Sequence, residues 1–286
     1  MNKHSVLYVG AGSLAMQVAG LLPDWPGWAL RRSWVELPAG LQWVQADMSN
    51  SLCPPGWPQT CPDYVVVTLV PAARNEQAYR QAYVDGVRNL LDWLCKHDQQ
   101  PRRILFVSSV GVYGQADGEL IDEQSATTPQ RWSGQVMLEA EQWLFASGLP
   151  VTSVRLAGIY GGARRSFLER VRQGHHADGC HNRYTNRIHE HDAASLLAHL
   201  LQLDAHGQAL QPIYIGVDDE PAEQAEVVGW LQQQLGVGSV AELGLKPAGS
   251  SKRCSNLLAR SSGWQPKYAS YREGYAAMLD SEGVED

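Results

Sequence analysis

Val6-Leu7-Tyr8-Val9-Gly10-Ala11-Gly12-Ser13-Leu14-Ala15 is the stretch that decides how this chain is read. Four apolar residues predict a buried strand, two glycines predict a sharp turn, and the segment running to Leu22 has a helical composition. A strand, a glycine turn and a helix start present backbone N–H groups and a positive helix end to an anion such as a pyrophosphate. In that geometry Gly10 allows the tight bend, Gly12 lets phosphates approach the backbone, and Ala15 lets the helix pack on the strand. Ser13 and Leu14 lie between them in the same cofactor-binding stretch. An ordinary strand-to-helix turn is the alternative, because glycines after strands are common. The place of the motif at the front of an alternating strand and helix chain favours the dinucleotide.

Lys3 and His4 precede an apolar stretch, which invites a secretory-signal reading. Gly10, Gly12, Gly20 and Gln17 interrupt its apolar core, and no clean small-residue cleavage site precedes Pro23-Asp24-Trp25, so folded protein is expected. No segment approaches about 18 uninterrupted apolar residues, and no membrane span is expected. The five cysteines (Cys53, Cys61, Cys95, Cys180, Cys254) are scattered, with no CxxC pair, which fits a reducing cytoplasm. Cys53 and Cys61 flank a proline-rich loop and could approach each other, but a disulfide is not expected in that compartment. The formal charge of -7 arises from mixed acids and bases. It argues against a nucleic-acid surface while leaving room for a small anion held by local arginines.

With 286 residues, 44% of them hydrophobic, the chain can bury one large α/β core and a smaller subdomain. Apolar β-rich runs recur at 5–9, 27–31, 41–45, 63–70, 103–108 and 151–156, with helical patterns between most of them. This alternation predicts a Rossmann-type, doubly wound parallel sheet. Helices are expected at 75–97, where Gly86 allows close packing, and at 133–147, ending at Gly148 before Pro150. Four prolines between 47 and 62 leave a short loop there. Residues 1–157 read as the dinucleotide-binding domain. Residues 158–286 read mainly as a smaller C-terminal substrate subdomain, with about 191–217 returning to the sheet.

Several patterns follow one another in order: VGAGSLA, Ala46-Asp47, Val107-Ser108-Ser109-Val110-Gly111-Val112-Tyr113-Gly114, Val154-Arg155-Leu156-Ala157-Gly158-Ile159-Tyr160-Gly161, and Asn186-Arg187-Ile188-His189 leading into Asp192. Together they resemble the extended short-chain dehydrogenase/reductase superfamily, in its NAD-dependent epimerase/dehydratase-like branch, over nearly the whole chain. The resemblance implies that Gly10, Gly12 and Ala15 serve the pyrophosphate and that Asp47 with Met48 sits by the adenine. It also implies that Thr68 and Leu69 lie beside the adenosine ribose and phosphates, that Ser109 polarises a substrate oxygen, and that a homodimer forms through helices 75–97 and 133–147.

An NAD-selective fold places an acid at the end of the second strand to bond the ribose hydroxyls. This chain has Arg31 and Arg32 there. Two guanidinium groups suit a 2′-phosphate, so NADP is expected in preference to NAD. The alternative is an arginine that only solvates the sheet edge.

The tyrosine and lysine, four residues apart, that active relatives use for proton transfer are missing. No tyrosine occurs from 114 to 159 and no lysine from 97 to 245. Aligning the helix by Glu141 and Leu144 puts Ser133 and Met137 at the two positions. Methionine carries no charge, and a serine hydroxyl is a far weaker acid than a phenol near pKa 10. Ser109 and Tyr113 are the catalytic candidates that remain, with Tyr113 alternatively shaping the substrate pocket.

His175, His176, Cys180, His181, His189 and His191 crowd one region, but their spacing matches no common zinc pattern, and a substrate-lining loop is the expectation. Arg164, Arg165, Arg183 and Arg187 would favour an anionic substrate, or else form a solvated basic loop. Arg155 and Asp192 are expected to brace the subdomain. Two functions stand: an NADP(H)-linked oxidoreductase acting on a hydroxyl or carbonyl of a sugar-like or nucleotide-linked substrate, and a non-catalytic dinucleotide-binding regulator or redox sensor.

Overall fold

The computed structural model describes residues 3–176, 183–238, 241–242 and 251–282. Seven strands form the main sheet among these residues: β1 (Val6–Val9), β2 (Gly27–Arg31), β3 (Leu41–Gln45), β4 (Tyr64–Val67), β5 (Arg103–Ser109), β6 (Val151–Leu156) and β7 (Ile213–Gly216). Their order is β7-β6-β5-β4-β1-β2-β3 and the sheet is parallel, the doubly wound arrangement expected from the alternation. β1, β4 and β6 are buried at every position, as strands covered on both faces must be. β3 lies at the edge and leaves Trp43 partly exposed.

The order reverses at β1, which pairs with β2 on one side and β4 on the other. A switch of this kind opens a crevice beyond the carboxyl ends of the strands. The helix after β1, α1 (Ser13–Leu21), buries Leu14, Ala15, Val18 and Ala19.

The segment expected as a helix over 75–97 begins with one turn, Glu76–Tyr79, whose cap is Asn75: its Oδ1 accepts from the Ala78 N–H at 2.9 Å. It widens into π-helix over Arg80–Asp85 and continues as α2 (Gly86–Lys96), with Val87, Leu90, Trp93 and Leu94 buried. A β-carbon on Gly86 would stand 2.9 Å from Leu69 Cδ1, so with glycine here the helix packs on Leu69 without displacing that side chain.

Between β3 and β4 the proline-rich loop is pinned from the α2 side. Trp57 Nε1 donates to Gln99 Oε1 at 2.9 Å, Gln99 Nε2 to Pro58 O at 2.8 Å, and Trp93 Nε1 to Ser51 O at 3.2 Å. The next helix, α3 (Trp132–Ala146), is tied to β6 by a closed ionic group. Arg155 meets Glu141 through two nitrogens at 3.0 and 2.6 Å, and Ser153 Oγ donates to Glu141 at 2.7 Å. Arg155, expected to brace the C-terminal subdomain, instead braces the sheet of the first unit, because its partner Glu141 lies on α3. α4 (Glu190–Ala205) supplies Asp204, which accepts from Arg103 Nε at 2.6 Å and from the Tyr64 hydroxyl at 2.9 Å.

The chain forms two compact units: residues 1–112, 131–155 and 194–214, and residues 113–130, 156–193 and 215–286. The core of the second gathers Tyr160, Leu168, Val171, Val227, Leu231, Tyr271 and Tyr275. Buried Asp192 accepts from the Lys267 and Tyr268 amides at 2.8 and 3.0 Å, bracing this unit. Arg164 pairs with Glu190, and Arg272 with Glu220 and Glu226.

Candidate cofactor site

β1 ends at Gly10 because the chain must turn there with φ at +78°, a conformation costly to any side-chain-bearing residue. A β-carbon at Gly10 would also lie 3.0 Å from the Leu69 backbone. The amides of Gly10 and Ala11 both donate to Leu30 O, at 3.1 and 3.0 Å, and the Thr68 hydroxyl donates to Gly10 O at 2.9 Å. The turn is thus held from β2 and β4 together.

Gly12 is the N-cap of α1, with no side-chain cap and no acid in the first turn. Helix-start amides need acceptors, and their dipole favours an anion. A β-carbon on Gly12 would meet nothing nearer than Gly10 O at 3.8 Å, so the face of the turn beside it is open. Leu14 and Ala15 are buried, which leaves backbone groups as what they can offer a ligand.

A cleft of about 420 Å³ opens on this turn. Gly10, Ala11 and Gly12 form one end of it, Arg31 and Arg32 a second wall, Asp47, Met48 and Ser49 a third, and Leu69 the fourth. All of these lie in the first unit. Thr68 stands beside this wall with its hydroxyl committed to the glycine turn.

Arg31 Nη1 donates to Ala11 O at 3.1 Å, which carries the guanidinium to the turn, while its buried Nε has no partner among the described residues. An orphaned cationic N–H next to an uncapped helix start fits a phosphorylated ligand. Exposed Arg32 lies close enough to Asp47 to act on its charge. Hydrogen bonds from the Ser49 hydroxyl (2.7 Å) and amide (3.0 Å), with Arg32 adding to them, hold the Asp47 carboxyl below its ordinary range. Asp47 is therefore ionised at neutral pH.

Ser49 and several other contributors escaped the sequence reading. Asn89 on α2 is buried and donates to Met48 O at 2.8 Å, fixing the β3 side of the cleft. Gln81 and Ala82, on the π-helical stretch, line the cleft directly. The wide turn that presents them has no distinctive composition, so periodicity alone could not single them out.

The reaction candidates are placed differently. Ser109 ends β5, and its Oγ accepts from the Gly111 amide at 3.0 Å. Tyr113 belongs to the second unit and is 1% exposed; its carbonyl accepts from Lys252 Nζ at 2.5 Å. Lys252 is itself buried, on the strand Lys252–Cys254, which pairs with Glu119–Ile121. Ser133 and Met137 lie on α3, with Met137 buried.

Burial holds the His189 imidazole below its usual pKa, outweighing the pull of Asp192, and the ring packs 4.3 Å from that of Tyr268. His191 Nδ1 lies 3.2 Å from Asp192. Among the described residues no three His, Cys, Asp or Glu side chains converge as a metal ion would require. Cys180, His181 and the side chains of His175 and His176 lie outside the described residues. Of the four arginines read as an anion site, Arg164 is paired with Glu190 and Arg187 donates to Thr185 Oγ1 at 2.7 Å.

Comparison with known proteins agrees with this architecture. The family model for the NAD dependent epimerase/dehydratase family matches residues 27–205. Protein YeeZ of Escherichia coli (strain K12) is 37% identical over 151 residues, which are 51% of this chain and 50% of that protein. The chain spans about half the length of the curated relatives it matches. A solved candidate NAD-dependent epimerase/dehydratase from Methylobacillus flagellatus superposes with a TM-score of 0.79 at 29% identity, covering 98% of this chain and 99% of that one. The Bordetella bronchiseptica enzyme WbmG, solved in complex with NAD, shares the fold with a TM-score of 0.73 at 18% identity, over 98% of this chain and 94% of that one. No described helix is long and apolar enough to cross a membrane.

Proposed function

The chain belongs to the NAD dependent epimerase/dehydratase family, and we propose that it is an NADP(H)-linked oxidoreductase of the epimerase/dehydratase type. Its substrate is a sugar-like or nucleotide-linked molecule carrying a hydroxyl or carbonyl. The observation that carries this reading is the pair Arg31 and Arg32 on one wall of the glycine-turn cleft, with Arg31 Nε buried and unmatched among the described residues.

Each part of the cleft has a task. The glycine turn and the first amides of α1 take the pyrophosphate, the N-cap Gly12 having no side chain to cap the helix start. Asp47 and Met48 hold the adenine side, and Arg31 and Arg32 take a 2′-phosphate through charge-assisted bonds. When bound, the nicotinamide supplies or accepts the hydride. On the protein side the Ser109 hydroxyl donates to the substrate oxygen, and Tyr113 moves the accompanying proton.

Affinity for NADPH and NADH tests the cofactor assignment. The wild type should prefer NADPH, and Arg31→Ala or Arg32→Ala should each lower NADPH affinity about tenfold while leaving NADH nearly unchanged. Equal affinities throughout would remove the assignment. For the chemistry, Tyr113→Phe should lower turnover about 100-fold or more on whichever carbonyl compound or nucleotide sugar supports NADPH oxidation.

One specific observation favours a second reading. Tyr113 is buried, and no tyrosine occurs from 114 to 159 and no lysine from 97 to 245, where aligning α3 by Glu141 and Leu144 puts Ser133 and Met137 at the family's proton-transfer positions, so a protein that binds the dinucleotide as a regulator has all it needs. Tight NADPH binding with no oxidation across the panel, together with capture of a protein partner, would select it.

A further inference from the structure

A second cleft, of about 750 Å³, opens in the first unit at the other end of the sheet, where strands begin rather than finish. Lys3 and His4 come from the approach to β1, Trp25 from the approach to β2, and Arg102 from the approach to β5. The carboxyl ends of α1 and α4 complete it, the latter with His206 just beyond the helix.

Its aromatic wall is preorganised. Trp25 stacks on buried Tyr64 with ring centroids 5.3 Å apart and planes 23° from parallel, and His4 sets its edge against both rings at 5.0 and 5.6 Å. Such a wall presents flat apolar area at little further entropy cost.

The rim carries two exposed cations, Lys3 and Arg102. Among the described residues Lys3, Arg102 and His206 form no ion pair. The neighbouring carboxylates are already engaged: Asp204 by Arg103 and Tyr64, Asp63 by the Ser5 amide and hydroxyl at 2.8 and 3.0 Å. Asp24 is the acid that remains on the lining. Helix carboxyl ends repel anions, and Lys3 and Arg102 are the cationic groups on the rim that a bound anion would meet against that field.

We propose that this cleft is a second ligand site, taking a small anion carried on a planar ring. The ring lies against Trp25 and His4, and the carboxylate or phosphate meets Arg102 and Lys3. The site is separate from the glycine-turn cleft, at the amino rather than the carboxyl ends of the same strands, and does not depend on the assigned chemistry.

Calorimetric titration of the full chain in excess NADPH tests it, with uridine 5′-monophosphate and indole-3-acetate as probes and with uridine and inorganic phosphate as half-ligands. One ring anion should bind with Kd below about 1 mM, and each half-ligand at least about tenfold more weakly. Whether the nucleotide or the aromatic acid binds tells which source the site serves. Arg102→Glu and Lys3→Glu, both at exposed positions, should each weaken that binding about tenfold or more without altering NADPH affinity. The proposal is overturned if neither probe binds below about 10 mM, if phosphate alone binds as well as the ring anion, or if both variants leave the affinity unchanged.

Discussion

Glu141 and Asp218 are both buried carboxylates, one in each compact unit, and they are treated in opposite ways. Glu141 receives Arg155 through two nitrogens and Ser153 through its hydroxyl. Asp218 receives no side-chain hydrogen bond among the described residues, the Glu220 backbone N–H being the group that favours its charged form, and the hydroxyl of Tyr160, whose charge environment it shares, is unmatched as well. Burial raises the Asp218 pKa well above the ordinary carboxylate range, against the opposing charge of Arg187. In the first unit Arg31 Nε, the Tyr8 hydroxyl and Ser108 Oγ are unmatched among the described residues, and of these it is Arg31 whose residue lines the cofactor cleft. In the second unit an unmatched group sits beside the core and marks a cost in stability.

The hardest test of this contrast is Glu141→Ala, which strands the Arg155 charge inside the sheet. Denaturant unfolding should show a loss of about 3–5 kcal/mol. A loss no larger than that of an ordinary surface change would end the view that this group is a structural clamp.

Next in size is Gly10→Val, aimed at the turn that the first unit holds from two strands. The positive φ and the 3.0 Å approach of Leu69 leave no room for the added carbons. Dinucleotide affinity, followed by NADPH fluorescence, should fall about 100-fold or more. Retained affinity would detach the cofactor from this turn.

The smallest effect, and the one with a sign that reverses intuition, is Asp218→Asn. Because the folded-state pKa is raised, the native protein holds a proton that the unfolded chain has released above about pH 4. Stability from this group is therefore present below the unfolded pKa and declines as pH rises toward the folded pKa. The amide does not titrate, so the variant should match the wild type near pH 4 and exceed it by about 1 kcal/mol or more at pH 8, measured by thermal unfolding at each pH. A variant less stable than wild type at pH 8 would mean that Asp218 is ionised and matched.

Much of the first unit was legible from the chain alone. The strands expected at 27–31, 41–45 and 151–156 are present with those bounds, and the helix expected over 133–147 forms at Trp132–Ala146. Alternation of apolar runs with amphipathic stretches carries that information locally. The segment 75–97 was harder: its apolar spacing predicts one helix, yet six residues of it are wound as π-helix, a difference of one residue in hydrogen-bond register that side-chain spacing does not encode. Asn89 reaching Met48 O, and Lys252 reaching Tyr113 O across 139 positions, left no trace in spacing.

What the amino-acid order determined by itself was the sheet, the glycine turn, the arginines at the end of β2 and the lack of a tyrosine and lysine four residues apart, because each is a matter of residue type within a few positions. Only the tertiary structure decided which buried charges are matched, which side of Arg31 is left open, and that Trp25, His4, Lys3 and Arg102 border one cleft. Matching of that kind depends on partners brought together from distant segments, and burial is what makes its absence costly.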